Sequence, residues 1–588
     1  MKIVKRTIMP TTAIAQQLQN DFGKIIASCM LKAGVSTKEE AIEYLADYSS
    51  LEFADTKLIP DIEKVCDIIT DAIMTGKKIA VYGDYDADGI TASSILQITL
   101  KALGSFPLVV LPSRDRGYGL QKNDVEYIRK EGAELLITVD CGIKCINEID
   151  IAKSYGITTI ILDHHLAGDT IPKADAIIDL HWNLGKYPDK NLTGAGLAYM
   201  VSRHLCKGIL DEQITLDLAA LGTIADVENI GKGENRKIVK KALNLLHTGD
   251  STTHHYNDGV MELCGGKADT ITAEELAFLV APKVNACGRL HTEGAYKPLN
   301  LFCGLVSDPQ EAAKEISETN EQRKEIQAAC VEEVKKQAQM QLELGYKVLV
   351  CLSTNAKAGI VGLLAGNLKE EYNRPAIVFC RKGNSDVLVA SARSIEGYNI
   401  VAELDKVKSL MLGYGGHELA AGMSLQEANL TAFTQEINKN CKLTDAQIEP
   451  RFEYDFEIPE NEVKNKDTML NIAIDLARCE PFGAGNPKPI FKVKCYTEPI
   501  NKSAYSTVGN KGQHLVLKLK GCDGQFRAIG FNMVNKYVDL GCPCEFDGYG
   551  TLSVSSYNGD IVFTLSHIEA EKPKQTQLMD DITALLNF

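Results

Sequence analysis

The segment YGDYDADG, Tyr82 to Gly89, sets three aspartates, Asp84, Asp86 and Asp88, at alternate positions directly after an apolar run that reads as a buried strand. D-x-D-x-D-G also opens the calcium loop of an EF-hand. That loop needs a bidentate Glu at its twelfth position, and Ile95 stands there. A strand, moreover, does not lead into a helix-loop-helix. The plain alternative is a solvated acidic turn. Against it stands the habit of open α/β sheets, which place their ligand sites at the carboxyl ends of strands.

Two further strand-like runs end the same way. ELLITVDCG delivers Asp140, and ITTIILDHH delivers Asp163, His164 and His165. In a parallel sheet these ends share one edge, where the carboxylates would repel one another unless cations neutralised them. A fourth contribution is Asp226, at the end of the apolar, helix-like run DLAALGTIADVENI. Carboxylates with one or two imidazoles suit Mn²⁺ or Mg²⁺ rather than thiolate-loving zinc. Two such ions about 3.5 to 4 Å apart suit in-line displacement at phosphorus. The natural substrate is therefore a phosphate ester or anhydride.

Positioning four such segments takes a large scaffold. At 588 residues the chain exceeds one hydrophobic core, and domain sizes suggest roughly three or four domains. A hydrophobic fraction of 45% and a charged fraction of 24% are those of an ordinary globular protein. No membrane span and no secretory h-region is visible, so a cytoplasmic protein is expected. The 17 cysteines include no C-x-x-C pair, which argues for reduced, buried thiols rather than a zinc ribbon. A net charge of -15 excludes indiscriminate coating of nucleic acid, so any such site must be local.

The first seventy or so residues carry helical periodicity, as in AIEYLAD and DIEKVCDIITDAIM. From Lys77 to Asp179, runs rich in Ile and Val alternate with helical stretches, giving an α/β domain with a mostly parallel sheet. A charged stretch without Gly or Pro, EAAKEISETNEQ onward to Leu344, predicts a connecting helix on the order of 50 Å long. A second α/β region follows, with strands YKVLVCLS, AIVFC and DVLVASARS. From Ile490 the pattern turns all-β, with five or so strands and an Asn558-Gly559 hairpin signal, which suits an OB-like barrel. The segmentation read from these shifts is 1–75 helical, 76–265 metal-bearing α/β, 266–345 connector, 346–450 second α/β, 451–570 barrel and 571–588 tail.

The order GDYDADG, VDCG, LDHH, ADV resembles the four motifs of the DHH phosphoesterase superfamily, named for the triplet present here as Asp163, His164 and His165. Downstream, APKVNACGRL, GIVGLLAG, SARS, GYGGHELAAG and EPFGAGNPKPIF are similar to the RecJ-type exonucleases of that superfamily, over most of residues 77–570. The resemblance implies DHH, DHHA1 and OB domains. It implies a dinuclear Mn²⁺ or Mg²⁺ centre on Asp84, Asp86, Asp88, Asp140, His164 and Asp226, with His165 facing the scissile phosphate. It also implies substrate contacts from Arg289, Ser391, Arg393 and His417. The activity implied is 5′ to 3′ hydrolysis of single-stranded DNA to 5′-mononucleotides, in repair and recombination, by a monomeric enzyme partnered by a single-stranded-DNA-binding protein and a helicase.

Departures from the pattern are local. Ala356, Lys357 and Ala358 replace the usual aromatic, histidine and proline, Asn229 and Ile230 replace a Pro-Leu after Asp226, and the segment holding Arg114 and Arg116 is compressed. Two other readings stay open at this level. One is a DHH enzyme for short oligonucleotides or cyclic dinucleotides, which would not need the barrel. The other is a catalytically silent DNA-binding scaffold, which would not need clustered carboxylates. In the barrel, Tyr496, Tyr505, His514 and Phe526 are candidates for stacking on bases, or else core residues.

Overall fold

The computed structural model describes residues 2–6, 12–113, 119–209, 211–248, 256–383, 385–497, 505–509, 511–522, 524–555 and 559–570. Arg114, Arg116, Asn558 and the 571–588 tail lie outside the described residues. The chain forms two compact units: one holds residues 52–228 and 233–450, the other 2–51, 229–232 and 451 onward.

In the first unit, strands Leu108–Val110, Ile79–Tyr82, Leu135–Val139, Thr158–Leu162 and Ala176–Ile178 lie side by side in that order, all parallel. Ile79–Tyr82 and Leu135–Val139 are buried throughout, which is why they read as continuous apolar runs rather than alternating ones. Register decides the next step. Tyr82 stands opposite Thr138, Val139 opposite Leu162, and Leu162 opposite Ile178, so Asp84, Asp140 and Asp163 all leave the sheet at its carboxyl edge.

Helices Ala87–Ala102, Gly194–Leu205 and Leu216–Ala225 pack on one another, the first two also against this sheet. Every residue from Leu216 to Ile224 is buried, as expected of a helix that is apolar all round. The packing closes tightly at Gly222, where an added Cβ would lie 2.5 Å from the Ala195 Cβ, 2.5 Å from Thr91 Oγ1 and 2.6 Å from Asp88 Oδ1.

The charged stretch is one helix of 35 residues, Pro309–Glu343, capped by Asp308, which accepts from the backbone N–H groups of Gln310 and Glu311. It does more than connect. Cys330, Val334 and Ala338 join Ile360, Leu364 and Leu368 in the core of the second α/β domain. Gln341 also exchanges two hydrogen bonds with the backbone of Val350, and Gln337 two with that of Leu352. The helix thereby covers the otherwise open edge of that domain's sheet. The sheet is mixed, in the order Gly413–His417, Ala420–Gln426, Val387–Arg393, Ala376–Arg381, Leu349–Leu352, and only its last pair is parallel.

The second unit is built on a seven-stranded barrel-like sheet running from Phe456–Ile458 to Tyr505–Val508. Its strands alternate buried and partly exposed residues, as in Phe491–Tyr496, the pattern of a sheet with one face in a core. The N-terminal helices belong here. Leu18, Ile26, Met30 and Tyr44 share a core with Leu476, Phe482 and Phe491, and strand Lys2–Lys5 pairs in parallel with Arg451–Tyr454. The stretch read as one helical segment over 1–75 is thus shared between the units, since Ile62–Met74 lies in the first. Chain proximity suggested one element; burial of the apolar faces divides it.

Gly222→Ala should destabilise the first unit by about 1 to 3 kcal/mol, the usual range for overpacking a core. Because the new methyl meets Asp88, it should also lower Mn²⁺ affinity. Denaturant unfolding and a metal titration on the same preparation measure both effects, and an unchanged Mn²⁺ affinity would show that Asp88 is not held by this contact.

Candidate metal centre

The strand Ile79–Tyr82 runs into a turn whose Asp86 caps helix Ala87–Ala102, its Oδ1 accepting from the N–H groups of Asp88 and Gly89 at 3.1 Å each. Asp88 sits in the first turn of that helix, 1% exposed. Its two oxygens accept from the N–H groups of Gly194 and Ala195, at 2.7 and 2.9 Å. These open helix Gly194–Leu205, whose positive end favours an anion. Asp140 follows its strand in the left-handed backbone region, with φ 59°. That conformation is uncommon outside glycine and clusters at functional sites.

The ligand-type atoms form three overlapping groups, each within 4.8 Å: Asp84, Asp86 and Asp140; Asp88, His164 and Asp226; and Asp140, His164 and His165. All six residues expected as ligands are brought together, and Asp140 and His164 are shared between groups. His164 Nε2 lies 3.1 Å from Asp140, 3.7 Å from Asp226 and 3.8 Å from Asp88. Burial raises the Asp88 carboxyl, and burial with the charges of Asp88, Asp86 and Asp84 raises that of Asp140 well above the usual range. Burial, then Asp88 and Asp86, pushes Asp226 up to about 8. His164 is lowered, first by burial. Such a cluster of oxygen and imidazole donors, too mutually repulsive to ionise fully by itself, fits divalent cations.

Asp163 has a different task. Its Oδ2 accepts from the Ile143 N–H at 2.9 Å, and its Oδ1 from the backbone N–H groups of His164 and His165 and from His165 Nδ1 at 2.8 Å. Burial pushes this carboxyl up, but the hydrogen bonds, led by the His165 ring, hold it below the usual range. Burial in turn pulls His165 down, and Asp163 outweighs that, raising it to about 9. Asp163 therefore fixes the His165 ring and keeps it charged at neutral pH. The fourth strand-end aspartate, Asp179, only closes a turn, accepting from the His181 and Trp182 N–H groups.

The four residues expected at the substrate lie on neighbouring elements of the same unit. Arg289, near the end of helix Ala281–Leu290, donates to the Gly359 carbonyl at 2.9 Å. Arg393 donates to Ser391 Oγ at 2.9 Å. Helix Ala358–Tyr372 meets both arginines at its first turns: a Cβ on Gly359 would fall 2.6 Å from the Arg289 carbonyl oxygen, and one on Gly362 3.3 Å from an Arg393 nitrogen. Glycine at both positions lets the helix start approach the Arg289 backbone and the Arg393 guanidinium. Lys357, in the divergent stretch, donates to the Leu290 carbonyl at 3.1 Å. His417, exposed, pairs with Ala420, and Ala420 with Arg393, which puts His417 and Arg393 on one face of the sheet, about 10 Å apart at the usual strand spacing.

Sequence reasoning passed over Asn285. Its Oδ1 accepts from the Ala87 N–H at 3.0 Å, tying helix Ala281–Leu290 to the turn that carries Asp86 and Asp88. Spacing alone gave it no signal, because its partner lies 198 residues away. In the barrel, Phe526 is core, Tyr505 packs on Tyr537, and Tyr496 donates to Glu460. Among the described residues of the barrel the exposed large aromatic is Phe531, 61% accessible and edge-on to His514.

Comparison with known proteins places the chain in a family. The N-terminal domain of the DHH family matches residues 78–223, the DHHA1 domain 345–443 and the RecJ OB domain 456–567. The single-stranded-DNA-specific exonuclease RecJ of Escherichia coli is 30% identical over 455 residues, which cover 73% of this chain and 77% of that protein. The chain belongs to the RecJ family. Its relative of the same description in Bacillus subtilis is 30% identical over 539 residues, and the chain spans about two thirds of that protein's length, 66%. The crystal structure of RecJ in complex with Mn²⁺ from Thermus thermophilus superposes with a TM-score of 0.77 at 26% identity, covering 97% of this chain and 80% of that one. A second from the same organism holds Mg²⁺. The chain is a RecJ-type nuclease with acidic and histidine groups placed to hold such ions. No helix among the described residues is long and apolar enough to cross a membrane.

Asp140→Asn and His164→Ala should each reduce bound Mn²⁺ while leaving metal-free unfolding as cooperative as in the parent, since these side chains repel or ligate rather than fill a core. Metal content after desalting, with thermal unfolding in chelator, checks this. The raised carboxyls also give a sign for pH: at neutral pH Asp226 is largely protonated without metal, so Mn²⁺ binding should release protons and tighten as pH rises toward about 8. Calorimetry in buffers of differing ionisation enthalpy counts those protons, and their number should fall above that pH.

Proposed function

We propose that the chain hydrolyses single-stranded DNA from its 5′ end, releasing 5′-mononucleotides, with two divalent ions held by Asp84, Asp86, Asp88, Asp140, His164 and Asp226. The observation that carries this reading is the overlap of the metal-capable groups, which have Asp140 and His164 in common and so set donors for more than one divalent ion side by side. Bound there, such ions supply charge for phosphoryl oxygens and lower the pKa of water.

The chain's own residues do the rest. His165, anchored through Nδ1 and charged at neutral pH, presents its Nε2 proton to an oxygen of the scissile phosphate. Arg289, Arg393 and Ser391 gather at the start of a 15-residue helix, where forked guanidiniums and the helix dipole favour phosphate. Arg393 is assigned the terminal 5′-phosphate and Arg289 the backbone. His417 completes the substrate side from the same sheet face as Arg393. The 5′ polarity and the DNA repair and recombination role follow the RecJ resemblance, as do a single-stranded-DNA-binding protein and a helicase as partners of a monomeric enzyme.

A barrel supports long strands over dinucleotides. On it, Lys518 and Arg527 stand directly opposite across an antiparallel pair, an arrangement that repels unless an anion intervenes. With Lys466 and Asp560 they line a cavity of about 230 Å³. A phosphodiester backbone fits that charge, and exposed Phe531 offers a ring for a base.

Arg393→Ala should weaken cleavage of a 5′-phosphorylated strand more than that of a 5′-hydroxyl strand. Equal losses would make it a general backbone contact. Lys518→Glu with Arg527→Glu should raise KM for strands of tens of nucleotides, flatten its salt dependence by about 0.7 per lost phosphate contact, and spare oligomers a few residues long. Equal effects on long and short substrates would leave the barrel no part in holding DNA.

A further inference from the structure

A cavity of about 190 Å³ lies beside His165 and Asp163, walled by the loops Gly119–Gln121 and Gly142–Cys145 and by Glu148 of the helix that follows. At about 30 Å³ per water it has room for about six waters. That is room for one ring system of base size and too little for a whole nucleotide. Leu120 and Ile143 are buried apolar walls. Burial pushes the Cys145 thiol up to about 11, so it stays a neutral wall and not a nucleophile.

Two wall residues are uncommitted. Lys144, just before the helix, and Glu148, in its first turn, carry opposite charges. Yet among the described residues neither makes an ion pair or a side-chain hydrogen bond. Lys144 is exposed and near enough for its charge to oppose that of His165, while Glu148 is half-buried. A donor and an acceptor lining one small space match the edge of a nucleobase, where donors and acceptors sit side by side.

We infer that this cavity seats the base of a nucleotide flanking the scissile phosphate, with Lys144 donating to and Glu148 accepting from that base's edge. The inference rests on the proposed nuclease reading and adds a base-binding pair of side chains to it. Lys144 and Glu148 position substrate and take no part in the proton chemistry, so their loss should act through KM and leave kcat nearly unchanged.

The test uses the full-length protein with Mn²⁺ and 5′-phosphorylated single strands. One strand is unmodified; two others carry a tetrahydrofuran abasic residue in place of the first or the second nucleotide. With the parent protein, removing the base at one of these positions should raise KM about 3- to 10-fold, the size of one or two lost hydrogen bonds. In Lys144→Met and Glu148→Gln that penalty should shrink toward none, with KM for the unmodified strand raised by a similar factor. Metal content and unfolding midpoint equal to the parent's show that the variants are intact. A base penalty at neither position, or one that both variants keep in full, overturns the inference while the nuclease reading stands. Failure of the parent to cut the unmodified strand overturns the nuclease reading itself.

Discussion

Buried negative charge is the constraint around which the first unit is organised. Asp84, Asp88 and Asp140 are each no more than 3% exposed, and they meet at one edge of a parallel sheet. Ionised carboxylates in so small a volume raise one another's pKa and oppose folding unless something offsets their charge. The fold answers with fixed dipoles: backbone N–H groups of Gly194 and Ala195 on Asp88, and those of Asp88 and Gly89 on Asp86. These orient the oxygens and leave a deficit of positive charge that cations can fill.

That demand explains features that look unrelated along the chain. Helix Leu216–Ala225 is buried on every side because it is sandwiched between other helices, and it meets the cluster through Gly222, packed against Asp88, and through Asp226 at its end. Asp163 accepts four hydrogen bonds so that its neighbour His165 can remain charged next to a group of acids. Asn285 fastens the acidic turn to the helix that carries Arg289 one turn further on. A rigid link between the proposed metal ligands and the arginine proposed to meet phosphate would keep reacting groups in register, which is where much of an enzyme's advantage over solution chemistry lies.

The second α/β domain solves the opposite problem, that of gathering positive charge. Arg289 and Arg393 come from elements far apart in sequence, and both meet the start of one helix through Gly359 and Gly362. The long helix Pro309–Glu343 holds this arrangement by packing its apolar stripe into the domain core and by capping the strand edge with Gln337 and Gln341. Its length was plain from composition, whereas its role as a wall of the domain was not.

Much of the fold and the centre was legible in the sequence because the signals are local. A buried parallel strand must be apolar throughout, a strand that ends in acid points to a ligand edge, and a small barrel shows as alternating runs between turns. Hence the acidic strand ends at Asp84, Asp86, Asp88, Asp140 and Asp163 stand out from spacing, and the resemblance in motif order adds His164 and Asp226 to the expected ligand set. What tertiary structure decided are the pairings that span hundreds of residues: Asn285 with Ala87, strand Lys2–Lys5 with Arg451–Tyr454, and the N-terminal helices with the barrel core. It also decided which aromatic is exposed, Phe531 rather than Phe526. The sequence carries the periodicity of each element, but the partner that covers an apolar face, or satisfies a buried amide, is chosen by three-dimensional packing, and that choice leaves no mark at fixed spacing.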